Sequence, residues 1–270
     1  MKHVVITGAS SGLGAALARR YARGGALLTL LGRDQQRLAA VAADCRHAGS
    51  EVATRTSDVT DQAAMQAHLV AADADRPIDL VIANAGVGGG AVIAPVEGES
   101  AALAARILEV NTVGAINTIT PLAERFIARR RGHFVVVSSV MAYLGVPEAP
   151  VYCASKAALR LYGHGMRRLL APHDVAVTVV CPGFIDTPMS ATLPFLAPFM
   201  ISAEDAAQRI EKAVAQRRSE VVFPWQVRAL AMTARLLPQR ALDSILGVGK
   251  QLTVQEREPP PRHSGQERGT

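Results

Sequence analysis

Tyr152 and Lys156, in the stretch YCASK at 152–156, set a weak acid and a cation four residues apart. If the segment is helical, that step puts both side chains on one face, one turn apart. A phenol with a pKa near 10 exchanges protons poorly at neutral pH. A neighbouring ammonium favours the phenolate and lowers that value; about three units would correspond to about 4 kcal/mol. The chemistry on offer is proton transfer. The pair alone also suits an ordinary helix face, so the rest of the chain has to decide.

A second group lies near the start, in TGASSGLG at 7–14. Its glycine spacing differs from GxGxxG but carries the same physics. Gly8 permits a tight turn, Gly12 lets backbone approach a pyrophosphate, and Gly14 permits close helix packing. Ser10 and Ser11 can add hydroxyl donors, and Leu13 completes the turn. The ribose of a bound dinucleotide should then meet the tip of the second strand. An acid there would favour NAD, but LLGRDQQRL at 30–38 has Gly32 followed by Arg33. A small residue leaves room for a 2′-phosphate, which a guanidinium can bind bidentately. Asp34 reads as the N-cap of the following helix, so the expectation is NADP(H), with NAD(H) second.

Short β-branched runs alternate with Ala-rich helical stretches. Strands are predicted at 3–7, 27–31, 51–56, 79–84, 133–138, 175–181 and 220–223. Helices are predicted near 12–23, 34–48, 61–73, 100–130 (as two), 151–171 and 203–217, the last opened by Ser202 and Asp205 in a capping-box arrangement. Several strands are apolar throughout, as when helices cover both faces of a parallel sheet. The fold class is α/β: a doubly wound, Rossmann-like parallel sheet of about seven strands. The chain has 270 residues, of which 49% are hydrophobic and 19% charged, enough for a core without staples.

Composition excludes several classes. Cys45, Cys153 and Cys181 are too few and too scattered for a disulfide framework or a metal site, and fit a reducing compartment. No metal is expected. The opening MKHVVITGAS lacks an apolar core long enough for a secretory signal, and no apolar run reaches the length of a membrane span. The expected location is cytoplasmic. A net charge of +6 permits attraction to anions, but aromatics make up only 4%. Arg19–Arg20, Arg129–Arg131, Arg167–Arg168 and Arg217–Arg218 fall near helix ends or faces and read as solvated charge, not as a nucleic-acid surface.

TGASSGLG, NAG at 84–86, Asn111, VVVSSV at 135–140, YCASK and PGFIDT at 182–187 occur in the order and spacing of the short-chain dehydrogenase/reductase family, which the chain resembles over roughly residues 3–225. The resemblance implies that Tyr152 donates a proton to a carbonyl oxygen during reduction, or accepts one in reverse. Lys156 would lower the Tyr152 pKa and bind the nicotinamide ribose. Ser139 would orient the substrate oxygen, with Ser138 the less favoured choice, and Asn111 would hold a relay water against the lysine. Cofactor contacts are implied for Gly8, Ser10, Ser11, Gly12, Leu13, Gly14, Arg33, Asp58 and Val59. They extend to Asn84, Ala85, Gly86, Tyr152, Lys156, Pro182, Gly183, Ile185 and Thr187. Asp58 would contact adenine, Asn84 can also tie neighbouring strands, and Ile185 and Thr187 would meet the carboxamide. Ala83 stands where the family often has a second asparagine.

The catalytic domain is expected over 1–224, with a substrate lid at about 187–201. MSATLPFLAPFM at 189–200 carries no charge, which suits a lipophilic ketone, aldehyde or alcohol as well as packing against a second subunit. Residues 225–254 read as an amphipathic helical extension broken by Pro238, and 255–270 as a disordered tail. The stretch 224–250 could rest on an anionic membrane surface, narrow the substrate entrance or cover a partner subunit. Homo-oligomers are usual in the family. The alternative to an enzyme is a dinucleotide-binding protein without turnover; among enzymes, the narrower alternative is a long-chain lipid ketone reductase.

Overall fold

Apolar β-branched runs need both faces covered, and the computed structural model meets that need with helices on either side of a parallel sheet. It describes residues 2–88, 100–146, 149–188, 190 and 200–234, and beyond these only 236–238, 240, 241 and 244. Seven strands are present among them: β1 (His3–Thr7), β2 (Leu27–Gly32), β3 (Val52–Thr56), β4 (Leu80–Ala83), β5 (Gly132–Val137), β6 (Val175–Pro182) and β7 (Glu220–Phe223). Their order is β3-β2-β1-β4-β5-β6-β7, and each neighbouring pair is parallel. The winding reverses between β1 and β4, where a doubly wound sheet opens a crevice at its carboxyl edge.

The helices are α1 (Gly12–Arg23), α2 (Gln35–His47), α3 (Gln62–Asp75), α4 (Ala101–Leu108), α5 (Gly114–Ala128), α6 (Pro150–Leu170), α7 (Ala203–Ala215) and α8 (Trp225–Ala234). The two helices expected within 100–130 are α4 and α5, joined by a π-helical turn at Glu109–Val113. The cap at Asp34 forms as the sequence implies, its carboxylate accepting from Arg37 N–H at 2.9 Å. Ser202 likewise accepts from Asp205 N–H at 3.0 Å.

Strand periodicity divides the core. Val4 and Ile6 of β1 pack with Leu17, Leu38 and Ile210 from α1, α2 and α7. Val5, on the opposite face, packs with Met65, Leu69, Leu122 and Leu159 from α3, α5 and α6. Residues Met1–Leu236 cluster as one compact unit, which includes α8. The second unit, Leu237–Thr270, falls almost wholly outside the described residues, as do most of the extension beyond Ala234 and the tail at 255–270.

Among the described residues no helix is long and apolar enough to cross a membrane. All three cysteines are buried and form no disulfide, and no His/Cys/Asp/Glu group of metal-binding size occurs among the described residues. The basic pairs are more than solvated charge. Arg129 and Arg125 close on the buried Asp73 carboxylate at 2.7 and 3.1 Å, Arg131 pairs with Asp79, and Arg20 pairs with Glu211.

His133, in the interior strand β5, bonds through Nε2 to Thr178 Oγ1 at 2.8 Å, and burial pushes its pKa down to about 4. A histidine kept neutral in the fold but free to charge when unfolded stabilises the protein above pH 6.5. That contribution is lost as pH falls from 6.5 toward 4, by about 1.4 kcal/mol per pH unit. Calorimetric melting of wild type and His133→Gln should show the wild type ahead at pH 7.5, with the gap narrowing by pH 5. A gap independent of pH would contradict this account.

Candidate active site

The first turns of α6 run beside the carboxyl end of β5. Ser138 fixes this approach by donating its hydroxyl to Lys156 O at 2.7 Å, while its own N–H donates to Val180 O on β6. Its hydroxyl is committed to the scaffold, which leaves Ser139 as the available one of the pair. Ser139 caps a short 3₁₀ turn, Val140–Tyr143, by accepting from Met141 N–H at 3.2 Å.

Tyr152 and Lys156 share a face of α6, as their spacing requires, with the Lys156 ammonium 5.6 Å from the Tyr152 ring centroid. Lys156 is 5% exposed and donates to Val137 O at 3.2 Å. Burial pushes the Tyr152 phenol up to about 12, opposed by a hydrogen bond with Ser139. Burial also draws the Lys156 ammonium down to about 8. One expectation is corrected here. The phenol is raised, not lowered, because desolvation outweighs the charge nearby, and the group that opposes the rise is Ser139, not Lys156.

Asn111 lies in the π turn and is fully buried. Its Oδ1 accepts from Val87 N–H at 2.8 Å, and its Nδ2 donates to Val87 O and to Ser155 Oγ, both at 3.0 Å. It therefore pins the chain after β4 to α6. Gly86 keeps that junction open: a Cβ there would lie 3.2 Å from Asn111 Oδ1 and 3.5 Å from Lys156 Nζ.

The NAG segment is held by a residue the motif reading passed over. Thr7, last in β1, accepts at Oγ1 from the N–H groups of Asn84 and Ala85 at 3.1 and 3.2 Å. Asn84 answers by donating from Nδ2 to Thr7 O at 3.0 Å, the strand tie expected of it. Gly8 has φ +66 and Gly12 φ +51, a region glycine enters without the usual Cβ penalty. A Cβ on Gly12 would meet the Thr187 methyl at 3.2 Å, and one on Gly8 would meet Ala85 Cα at 2.8 Å. Gly14 admits no side chain either, its Cβ position being 2.1 Å from Gly8 O.

The glycine turn thus faces the loop after β6, where Gly183 N–H donates to Phe223 O at 2.7 Å and Pro182 closes the strand. Ile185 bridges in parallel to Ile201, joining the two feet of the expected lid; residues 189 and 191–199 lie outside the described residues. Ser11 starts α1 without a side-chain cap bond, and Leu13 is buried beneath the turn. Ser10 sits against the tip of β2, 3.3 Å from where a Gly32 Cβ would be.

Arg33 extends from that tip, its guanidinium 3.7 Å from Asp58 Oδ2. Asp58 also receives Arg106 at 2.7 Å and the Thr60 N–H and hydroxyl at 3.0 and 2.9 Å. Partial burial would raise its carboxyl, but these donors hold it at about 2. Val59 is buried and accepts from Asn117 Nδ2 at 2.9 Å. Arg106, 48 positions from Asp58, carried no sequence signal. The expected site residues therefore gather along one carboxyl edge: the tetrad of Asn111, Ser139, Tyr152 and Lys156 around β5, the π turn and α6, and the remainder around β1, β2, β3, β4 and β6.

Known proteins resemble this chain in sequence and fold. The sequence profile described as short chain dehydrogenase matches residues 2–194. An uncharacterized oxidoreductase of Myxococcus xanthus is 35% identical over 241 residues, covering 89% of this chain and 94% of that protein. A short-chain dehydrogenase from Sphingobium yanoikuyae, solved in complex with NADPH, superposes with a TM-score of 0.77 at 26% identity, over 97% of this chain and 100% of that one. A metagenomic short-chain oxidoreductase in complex with NADP gives 0.71 at 29% identity, over 82% and 96%.

Replacing Asn111 tests whether the π turn depends on its side chain. Asn111→Ala leaves the part-buried Val87 N–H and C=O without this partner and should cost about 1–3 kcal/mol. Thermal melting reads the loss, and faster amide exchange at Val87 locates it. Wild-type exchange at Val87 would show that the bond does not hold that segment.

Proposed function

The chain belongs to the short-chain dehydrogenase family of oxidoreductases, and we propose that it interconverts a lipophilic carbonyl and its alcohol using NADP(H) in preference to NAD(H). The observation that carries this reading is the meeting of Ser139, Tyr152 and Lys156 beside a crevice whose glycines admit no side chain. The crevice fits a dinucleotide. Gly8 and Gly12 bring backbone to its floor, the uncapped Ser11 starts a helix N-terminus suited to a pyrophosphate, and Arg33 beside Gly32 suits a 2′-phosphate. Nicotinamide, when bound, supplies the hydride.

The protein side of the reaction is proton handling. With its pKa near 12, the Tyr152 phenol carries its proton at neutral pH, as a donor to a developing alkoxide must. Ser139 orients the same oxygen, and its bond should strengthen as negative charge accumulates. Lys156, with a pKa of about 8, remains mostly cationic at pH 7 and favours the phenolate left behind. Its reach toward Gly86 suits a hold on the nicotinamide ribose, and Asn111 beside it suits support of a relay water.

The charge-free stretch at 189–200 supports a lipophilic substrate. Leu161 and Leu169 on α6, 68% and 63% exposed, support association with a second copy. Trp225 at the start of α8 is 73% exposed, which suits either that association or contact with a membrane surface.

NADPH oxidation should be followed with a panel of hydrophobic ketones and aldehydes. Wild type should turn over, and Tyr152→Phe should lose at least about a hundredfold in kcat, the usual scale of a general acid, while still binding NADPH. NADPH binding with no turnover across the panel would favour a silent binding protein instead.

Cofactor preference is read separately by fluorescence titration. Arg33→Ala should weaken NADPH about tenfold to a hundredfold, as expected for losing a charged hydrogen bond, and leave NADH within a few-fold. Equal losses for both would remove the 2′-phosphate role.

A further inference from the structure

Beyond Lys156, α6 continues the stripe that begins at Tyr152: Arg160 and His164 follow at further steps of four. Both end on one carboxylate. Glu220, on the edge strand β7, receives Arg160 Nη2 at 3.0 Å and His164 Nε2. It also accepts the hydroxyl of Tyr143, the last residue of the turn that Ser139 caps. The Arg160 guanidinium lies over the Tyr143 ring, 4.4 Å from its centroid. An edge-strand glutamate is ordinarily solvated, yet Glu220 is only 18% exposed, and Arg160 and His164 are 20% and 17% exposed. Removing these groups from water costs free energy that a merely solvated face would not pay.

The connectivity gives the cluster a use. Ser139 and Tyr152 come from different elements, and their bond demands that the 3₁₀ turn and α6 hold one spacing. Ser138 fixes the near end of that spacing through Lys156 O. The far end is fixed where Tyr143 from the turn and Arg160 and His164 from the helix share Glu220. We infer that Glu220 is a positioning residue for the Ser139–Tyr152 pair, holding the turn and the reactive face of α6 to a single carboxylate. The inference rests on the reading of that pair as the proton-donating site. It assigns to β7 control over their alignment, and small misplacements of reacting groups can cost up to about a hundredfold in rate.

Hydrogen–deuterium exchange on the full chain reads the tether without needing a substrate. Glu220→Gln and Tyr143→Phe should each speed exchange at residues 140–144 by about tenfold, the scale of a local opening released from one restraint. Peptides from α1 and the glycine turn should exchange as in wild type. Unchanged exchange at 140–144 in both variants overturns the inference, and the mild Tyr143→Phe change guards against a Glu220 variant that fails to fold.

Kinetics then test the route through Ser139, using a carbonyl compound that wild type reduces. Glu220→Gln should lower kcat about tenfold without weakening NADPH, Glu220→Asp should restore part of it, and the factor should vanish in a Ser139→Ala background. A factor persisting in full in that background would mean that Glu220 acts on overall stability, and the inference fails. Wild-type protein that reduces nothing on the panel refutes the proposed function, while the exchange measurement still decides the tether.

Discussion

Lys156 is buried and Tyr152 partly buried against the carboxyl end of β5, and the desolvation they share sets the protonation states from which the proposed chemistry begins. Burial disfavours charge on either group: the phenol keeps its proton to about 12 and the ammonium holds its own only to about 8. At neutral pH the two are a neutral acid and a cation. Lys156 is held there at both ends, its ammonium donating to Val137 O and its carbonyl accepting from Ser138. A more open helix start would return both groups toward their ordinary values and weaken their influence on one another.

The same edge depends on a second constraint, the joining of β1 to β4 at the point where the sheet reverses its winding. Thr7 and Asn84 exchange bonds across that junction, so Gly8 and Ala85 approach more closely than any side chain would allow. Asn111 then carries the tie onward from Val87 to Ser155. The crevice floor and the tetrad are thus one connected set of hydrogen bonds, running from β1 through β4 and the π turn into α6.

Much of this was legible in the sequence because it is local. β-Branched runs and alanine-rich stretches alternate with clear boundaries, and all seven strands fall within a residue or two of their expected places. The tetrad and the glycine turn were readable because each motif spans only a few residues and its order along the chain follows the order of the strand ends. The sign of the Tyr152 shift was not readable, since desolvation depends on what the rest of the chain packs around the phenol. Arg106 and Glu220 were hidden for a related reason: Arg106 meets Asp58 from 48 positions away, and Glu220 meets Tyr143 from 77. Only the sheet order brings them together.

Asp58 shows how such distant partners alter a motif's meaning. Read locally, an acid after β3 is a contact for adenine, and Asp34 beside Arg33 could argue for an unphosphorylated ribose. In the fold both carboxylates are engaged. Asp34 caps α2 and pairs with Arg37 at 3.2 Å, while Asp58 holds Arg106 and stands near Arg33. Arg33, Arg37 and Arg106 gather with Asp34, Asp58 and Glu109 near the tip of β2, three charges of each sign. Arg33 is the arginine whose nearest carboxylate lies farthest away, at 3.7 Å, with a side chain 58% exposed, so it is the guanidinium with most to gain from a new anion. A 2′-phosphate would supply one, whereas a ribose hydroxyl would not. The proposed preference for NADP(H) thus rests on Arg33 as the least committed arginine of the cluster.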